Sequence, residues 1–148
     1  MLRLSTKTRY GTRAMINLAM LDGNGPVFLN TIATSQEISR NYLDALFSNL
    51  RTSGLVRSVR GASGGYILNK EPAQITALDI VMALEGKPIL VDCLENKSLC
   101  DRSKCCAARD LWLRTRKAVE TTLSGTTLGD LVTTAREKEK EDEKMYYI

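Results

Sequence analysis

The chain contains no histidine. It therefore lacks the side chain most often used for acid–base work near neutral pH, and the commonest imidazole metal ligand. Aromatic residues make up only 5% of its 148 residues. Leu, Ile, Val, Met and Ala must fill most of any core, and 43% hydrophobic residues suffice for a core of one domain's size. No apolar run approaches the roughly 18 residues of a membrane span. The opening Met1-Leu2-Arg3-Leu4-Ser5 lacks the apolar stretch of a secretory signal. A cytoplasmic setting is the expectation, and there thiols stay reduced. No Gly-Lys-Ser/Thr follows the glycines of Gly61 to Gly65, which argues against a nucleotide loop. No carboxylate pair stands out for acid–base chemistry, so little supports an enzyme.

Cysteine is absent everywhere except between Cys93 and Cys106, where all four occur: Cys93, Cys100, Cys105 and Cys106. Their neighbours are polar, unlike those of a packing cysteine. Lys97, Arg102 and Lys104 should favour the thiolate, the form that binds metals and attacks disulfides. Clustered thiols in a reduced compartment point to metal or redox chemistry. Metal ligation, a thiol–disulfide switch and incidental thiols all stay open from the residues. Zinc is a serious rival, since a four-cysteine set is a common structural site.

The net charge of +4 is unevenly spread. Residues 1–70 carry 9 Lys and Arg against 3 Asp and Glu, a net of +6. The remainder carries 12 against 14. A basic first half is a plausible footprint for a phosphate backbone.

Capping and periodicity organise that half. Ser5 or Thr6 can start a helix running to about Leu21, with Tyr10, Ala14, Met15, Leu18 and Ala19 on its apolar face. Asn30 can cap a short helix to about Ser35. Ser39 caps the next, about 40–52, in which Leu43, Leu46, Phe47 and Leu50 fall at i, i+3, i+4 and i+7. Two helices joined by a tight turn form a helix-turn-helix. Leu55 to Val59 and Tyr66 to Leu68 then read as strands joined by the glycine-rich tip Arg60 to Gly65. A hairpin placed there is a wing.

Further on, Thr76 and Asp79 form a capping-box-like start to a helix that runs to about Leu84, ending at Gly86-Lys87-Pro88. A longer helix follows Cys106 to about Leu123, with Ala108, Leu111, Trp112, Thr115, Val119 and Thr122 on one side. Thr127 and Asp130 open a final short helix. Arg136 to Lys144 is a mixed charge run, expected to be frayed or disordered.

The residues 2–11, 38–51 and above all 54–66 resemble the bacterial iron–sulfur cluster regulators of the IscR, NsrR, RirA and CymR type. The likeness covers about residues 2–133. It implies a mainly α fold with a small β-hairpin: a winged helix-turn-helix domain plus a long dimerisation helix. The corresponding division is a DNA-binding domain over 1–86, a cysteine-rich loop over 87–107, the dimerisation and final helices over 108–135, and a charged tail over 136–148. The partners implied are a double-stranded DNA operator and a second copy of the chain.

By position, the resemblance makes Cys93, Cys100 and Cys106 the metal ligands; Cys106 lies six residues before Trp112, the family's spacing. IscR-like members carry a histidine where this chain has Arg109. NsrR-like members carry an aspartate where it has Arg9. Cys105 is the candidate extra ligand, and a 4Fe–4S cluster is favoured over 2Fe–2S. The DNA-binding set is Lys7, Arg9, Ser39, Arg40, Asn41, Tyr42, Asp44, Arg51, Arg60, Gly61 and Ser63. Asn41, Asp44 and Ala45 take base-reading positions, since Asn suits adenine and Asp accepts from cytosine. Lys7, Arg9 and Arg51 would bind phosphates. The rival is a cluster-free or zinc-bound regulator, or a protein–protein adaptor using its cysteines as a switch.

Overall fold

The structure is a computed structural model that describes residues 4–87 and 89–146. Leu2, Arg3 and Pro88, which figure in the sequence patterns above, lie outside them, as do residues 147 and 148 of the tail. Six helices and one antiparallel hairpin make up the described chain.

Helix α1 (Thr6–Met20) begins where the Ser5 side chain accepts from the Lys7 N–H. Its buried face comprises Thr8, Gly11, Ala14, Met15, Leu18 and Ala19. Helix α2 (Leu29–Gln36) departs from expectation at its start. Phe28, not Asn30, is the N-cap, and it provides no side-chain hydrogen bond. The chain instead enters α2 from Val27, whose backbone exchanges two hydrogen bonds with Tyr66, at 2.8 and 2.9 Å. A tertiary contact thus fixes the entry that a local cap was expected to fix.

Helix α3 (Arg40–Thr52) follows a turn through Glu37, which lies in the left-handed region at φ 54°. The Ser39 side chain accepts from the Tyr42 N–H. Leu43, Leu46, Phe47 and Leu50 are all buried. That stripe is the centre of the core, with Phe47 packed edge-on to Tyr66, ring centroids 4.9 Å apart.

Strands β1 (Val56–Val59) and β2 (Gly65–Leu68) pair with Val56 opposite Leu68 and Val59 opposite Gly65. Gly61 at the tip has φ 115° and Gly65 φ 150°. A side chain on Gly65 would run into the Val27 carbonyl. Glycine is therefore what lets Val27 join the hairpin as a third extended segment.

Helix α4 (Ala77–Glu85) opens on a complete capping box between Thr76 and Asp79. Gly11 of α1 faces Leu84 so closely that a Cβ there would displace it. Helix α5 (Ala107–Gly125) has no buried residue. Helix α6 (Leu128–Tyr146) returns to the core, where Leu128 and Val132 are buried. The Ala77 N–H donates to the Thr126 carbonyl (2.8 Å) and the Leu128 N–H to the Ile75 carbonyl (2.7 Å), so α4 and α6 start side by side. Thr127 and Asp130 repeat the box of Thr76 and Asp79. The short final helix and frayed tail expected from the sequence become one helix of 19 residues, whose charged part is exposed.

Candidate nucleic-acid interface and cysteine loop

Burying the Leu43–Leu50 stripe turns the opposite face of α3 outward. Arg40, Asn41, Asp44, Ala45 and Ser48 are all exposed on it. Tyr42 is half-buried and meets Tyr10 of α1 edge-on, ring centroids 6.0 Å apart at 87°. Arg40 and Asp44 form an i,i+4 ion pair. An exposed pair of this kind contributes only about 0.3–0.5 kcal/mol, so it can be exchanged for contacts with a ligand. Arg60, Gly61 and Ser63 are exposed on the wing tip, and Lys7, Arg9 and Arg51 are exposed on α1 and α3. Among the described residues none of Lys7, Arg9, Arg51 and Arg60 belongs to an ion pair. These are uncommitted cations on a scaffold that also turns a helix N-terminal face and a glycine tip to solvent.

The cysteine loop is built differently. It consists of two single 3₁₀ turns, Asp92–Leu94 and Lys97–Leu99, followed by a string of tight turns. Leu94 is its one buried side chain among the described residues. Glu95 holds it to its surroundings, accepting from Lys87 Nζ at 3.1 Å and Arg116 Nη1 at 2.8 Å. Arg109, standing at the family's histidine position, donates to the Cys93 carbonyl at 3.4 Å. Cys100 and Cys105 are exposed, Cys93 and Cys106 half-exposed, and all four thiols are free.

Thiolates suit iron–sulfur ligation in kind. Among the described residues no three Cys, Asp or Glu side chains are already gathered to hold a metal ion. Cys93, Cys100 and Cys106 are near in sequence but not gathered at one point. Arg9, where NsrR-like members carry an aspartate, is an exposed cation on α1.

Two residues of this region carried no signal in the sequence. Glu95 binds both flanks of the loop, and Glu85 ends α4 just ahead of it. The Glu85 carboxylate accepts from the Ser5 N–H (2.9 Å), the Ser5 hydroxyl (2.6 Å) and the Thr8 hydroxyl. The Ser5 hydroxyl, then that of Thr8, holds its pKa below the ordinary carboxylate value, against a smaller opposing effect of burial. An exposed carboxylate at a helix end looks like solvated charge until α1 is placed beside it. Between α4, residues 86, 87 and 89–91, and α5 runs a groove of about 540 Å³, lined by Val81, Leu90, Trp112, Val119 and Leu123 among others. Leu111 and Trp112 of α5 remain exposed.

A helix-turn-helix followed by a glycine-tipped hairpin, with its first-turn polar face and its cations open to solvent, defines a winged-helix DNA-binding regulator. The chain belongs to the Rrf2 family of iron-dependent transcriptional regulators, whose profile matches residues 4–134. It is 47% identical over 130 residues to the HTH-type transcriptional regulator CymR of Bacillus subtilis, covering 88% of this chain and 89% of that one. The solved structure of that global cysteine regulator superposes with a TM-score of 0.76, covering 90% of this chain and 98% of the other. The structure of T. potens IscR, 40% identical, also gives 0.76, over 93% and 90% of the two chains. An oxidised form of Staphylococcus aureus CymR, 42% identical, gives 0.70 over 88% and 95%. The expected fold class thus stands: a mainly α winged-helix regulator with a small hairpin. No helix among the described residues is long and apolar enough to cross a membrane.

Proposed function

We propose that this transcriptional regulator acts in the cytoplasm as a homodimer on a two-fold-related DNA operator. The observation that carries this is the open first turn of α3 beside an uncommitted Arg60 on the wing. In this reading Asn41, Asp44 and Ala45 face base edges in the major groove. Ser39 and Tyr42 fix the helix start, and Arg60, Gly61 and Ser63 follow the neighbouring minor groove. Lys7, Arg9, Arg40 and Arg51 supply phosphate contacts, which add affinity and salt dependence but little sequence information. Half-sites would lie about one helical turn or a multiple apart. The exposed Leu111 and Trp112 on a helix without a buried face support pairing of two copies through α5.

The cysteine loop is the sensing element, with Cys93, Cys100 and Cys106 as ligands of an iron–sulfur cluster and Cys105 as an additional donor. Family membership and four thiols within fourteen residues support this. Such a cluster, when bound, is a centre whose integrity or redox state reports iron, oxidants or nitric oxide. The chain's own part is positional. The loop joins α4, tied to α1 through Glu85, to α5, tied to the loop through Glu95 and Arg116. An ordered loop would hold α5 in one setting, and a ligand acts only through its different affinity for two such settings.

A second reading, a cluster-free thiol switch, is favoured by the free and unassembled thiols. It also accords with similarity to a protein described as a global cysteine regulator. Iron and sulfide content of anaerobically purified protein separates the two. A brown protein losing both iron and operator binding on triple replacement of Cys93, Cys100 and Cys106 by alanine supports the first. A colourless protein whose operator affinity changes on thiol oxidation supports the second, and stoichiometric zinc supports neither. Arg60→Ala tests DNA binding itself, with an expected cost of about 1–3 kcal/mol of operator affinity. An unchanged affinity would favour the adaptor.

A further inference from the structure

Arg13 belongs to the basic first half, and the simplest use for it is another phosphate contact. Its surroundings say otherwise. The last carbonyls of a helix have no partner within it. At the end of α2 the Gln36 carbonyl accepts from Arg13 Nη2 at 2.7 Å, and the Gln36 side-chain oxygen accepts from Arg13 Nε at 3.2 Å. The next residue, Glu37, is the left-handed one at φ 54°. This is the turn of the helix-turn-helix. A non-glycine residue in that conformation persists only where its surroundings hold it.

The same guanidinium lies over the Tyr10 ring, 5.7 Å from its centroid. Tyr10 in turn meets Tyr42 in the first turn of α3. Arg13 therefore reaches the DNA-reading helix by two routes. One runs through the backbone of the turn that launches it. The other runs through Tyr10, whose ring meets that of Tyr42 edge-on. Only a planar fork can serve both acceptors and cover a ring at once; a lysine ammonium offers a single point of charge.

We infer that Arg13 is a positioning residue for DNA recognition: it fixes the α2–α3 turn and, through Tyr10 and Tyr42, the setting of the α3 N-terminus, and it is not a phosphate contact. This rests on the DNA-binding reading above. It separates Lys7, Arg9, Arg51 and Arg60, which would meet a ligand, from Arg13, an exposed residue whose guanidinium is already bonded to Gln36.

The test compares R13Q and R13K with the wild-type full chain. One duplex is selected from random-sequence DNA by the wild-type protein and the other is scrambled; affinities are taken across a salt series. Both variants are expected to lose about tenfold in affinity for the selected duplex, as contacting residues in one network do. Affinity for the scrambled duplex and the salt slope should stay as in wild type. A phosphate contact predicts another pattern: R13Q lowers the slope by about 1 and weakens both duplexes alike, while R13K behaves as wild type. That pattern, or unchanged affinity in both variants, overturns the proposal. Melting temperatures are read alongside; if R13Q fails to fold, R13K carries the comparison alone, because it keeps the charge and loses the fork. Failure of the wild type to select any duplex would instead sink the DNA-binding reading, and this inference with it.

Discussion

The winged-helix part and the stretch from Lys87 to Gly125 are held by different forces. In the first, α1, α3, the wing and α4 share one apolar core that also takes in Leu128 and Val132 of α6. In the second, a single side chain, Leu94, is buried among the described residues. The rest is held by half-buried contacts of α5, by backbone hydrogen bonds within the turns, by Glu95 between Lys87 and Arg116, and by a 3.4 Å bond from Arg109. Exposed ion pairs contribute roughly 0–1 kcal/mol each, whereas one buried large side chain contributes several times that. The first region carries its own shape. The second has one buried side chain among the described residues to fix its shape.

The contrast is most open to attack in the core. Phe47→Ala should cost about 3–5 kcal/mol in urea denaturation, by the cavity it leaves. Leu99→Ala, at an exposed side chain of the loop, should cost within about 0.5 kcal/mol. Equal costs would break the distinction. Amide exchange sharpens it. Amides of α3 should exchange only through global opening, and those of residues 92–106 by local opening that costs a small fraction of it. Protection of the loop equal to that of α3 in metal-free protein would contradict the difference in how the two regions are held.

A smaller effect concerns the paired helix starts. Thr76→Ala removes a cap and should cost about 1 kcal/mol. Because α4 and α6 start together, the exchange of α6 should quicken as well. The smallest is a pH effect. Glu85 has a folded pKa below its ordinary 4.5. Its contribution is therefore present above that value and lost as pH falls through the lowered one. The wild-type melting temperature should fall more steeply than that of E85Q between about pH 5 and pH 3. Asp130, held low by the Thr127 backbone N–H and then its hydroxyl, leaves a residual slope in the variant. Identical slopes would remove Glu85 as the tie between α1 and α4.

How far the sequence could be read follows from the range of each signal. The Leu43–Leu50 stripe, the Ser39 cap and the Thr76–Asp79 box are built on spacings of three or four residues, and each is found in place. Asn30 has the same kind of local claim and loses to Phe28, because Val27 is held by the wing. The candidate DNA-contacting cations are exposed, as expected of groups that meet a ligand. Arg13 sits among them in the sequence and differs only by what α2 brings to it. The cysteine spacing marks the loop as chemical, but spacing says nothing about whether sulfurs converge.

What this sequence decided alone was its hairpin and the helix starts that carry their own caps, since periodicity, caps and glycine act within a few residues. Only the tertiary structure decided that Val27 joins the wing, that α4 and α6 start side by side, that Glu85 binds α1, and that Arg13 serves the turn. Those contacts link residues far apart along the chain, and local patterns carry no record of which distant group packing brings near.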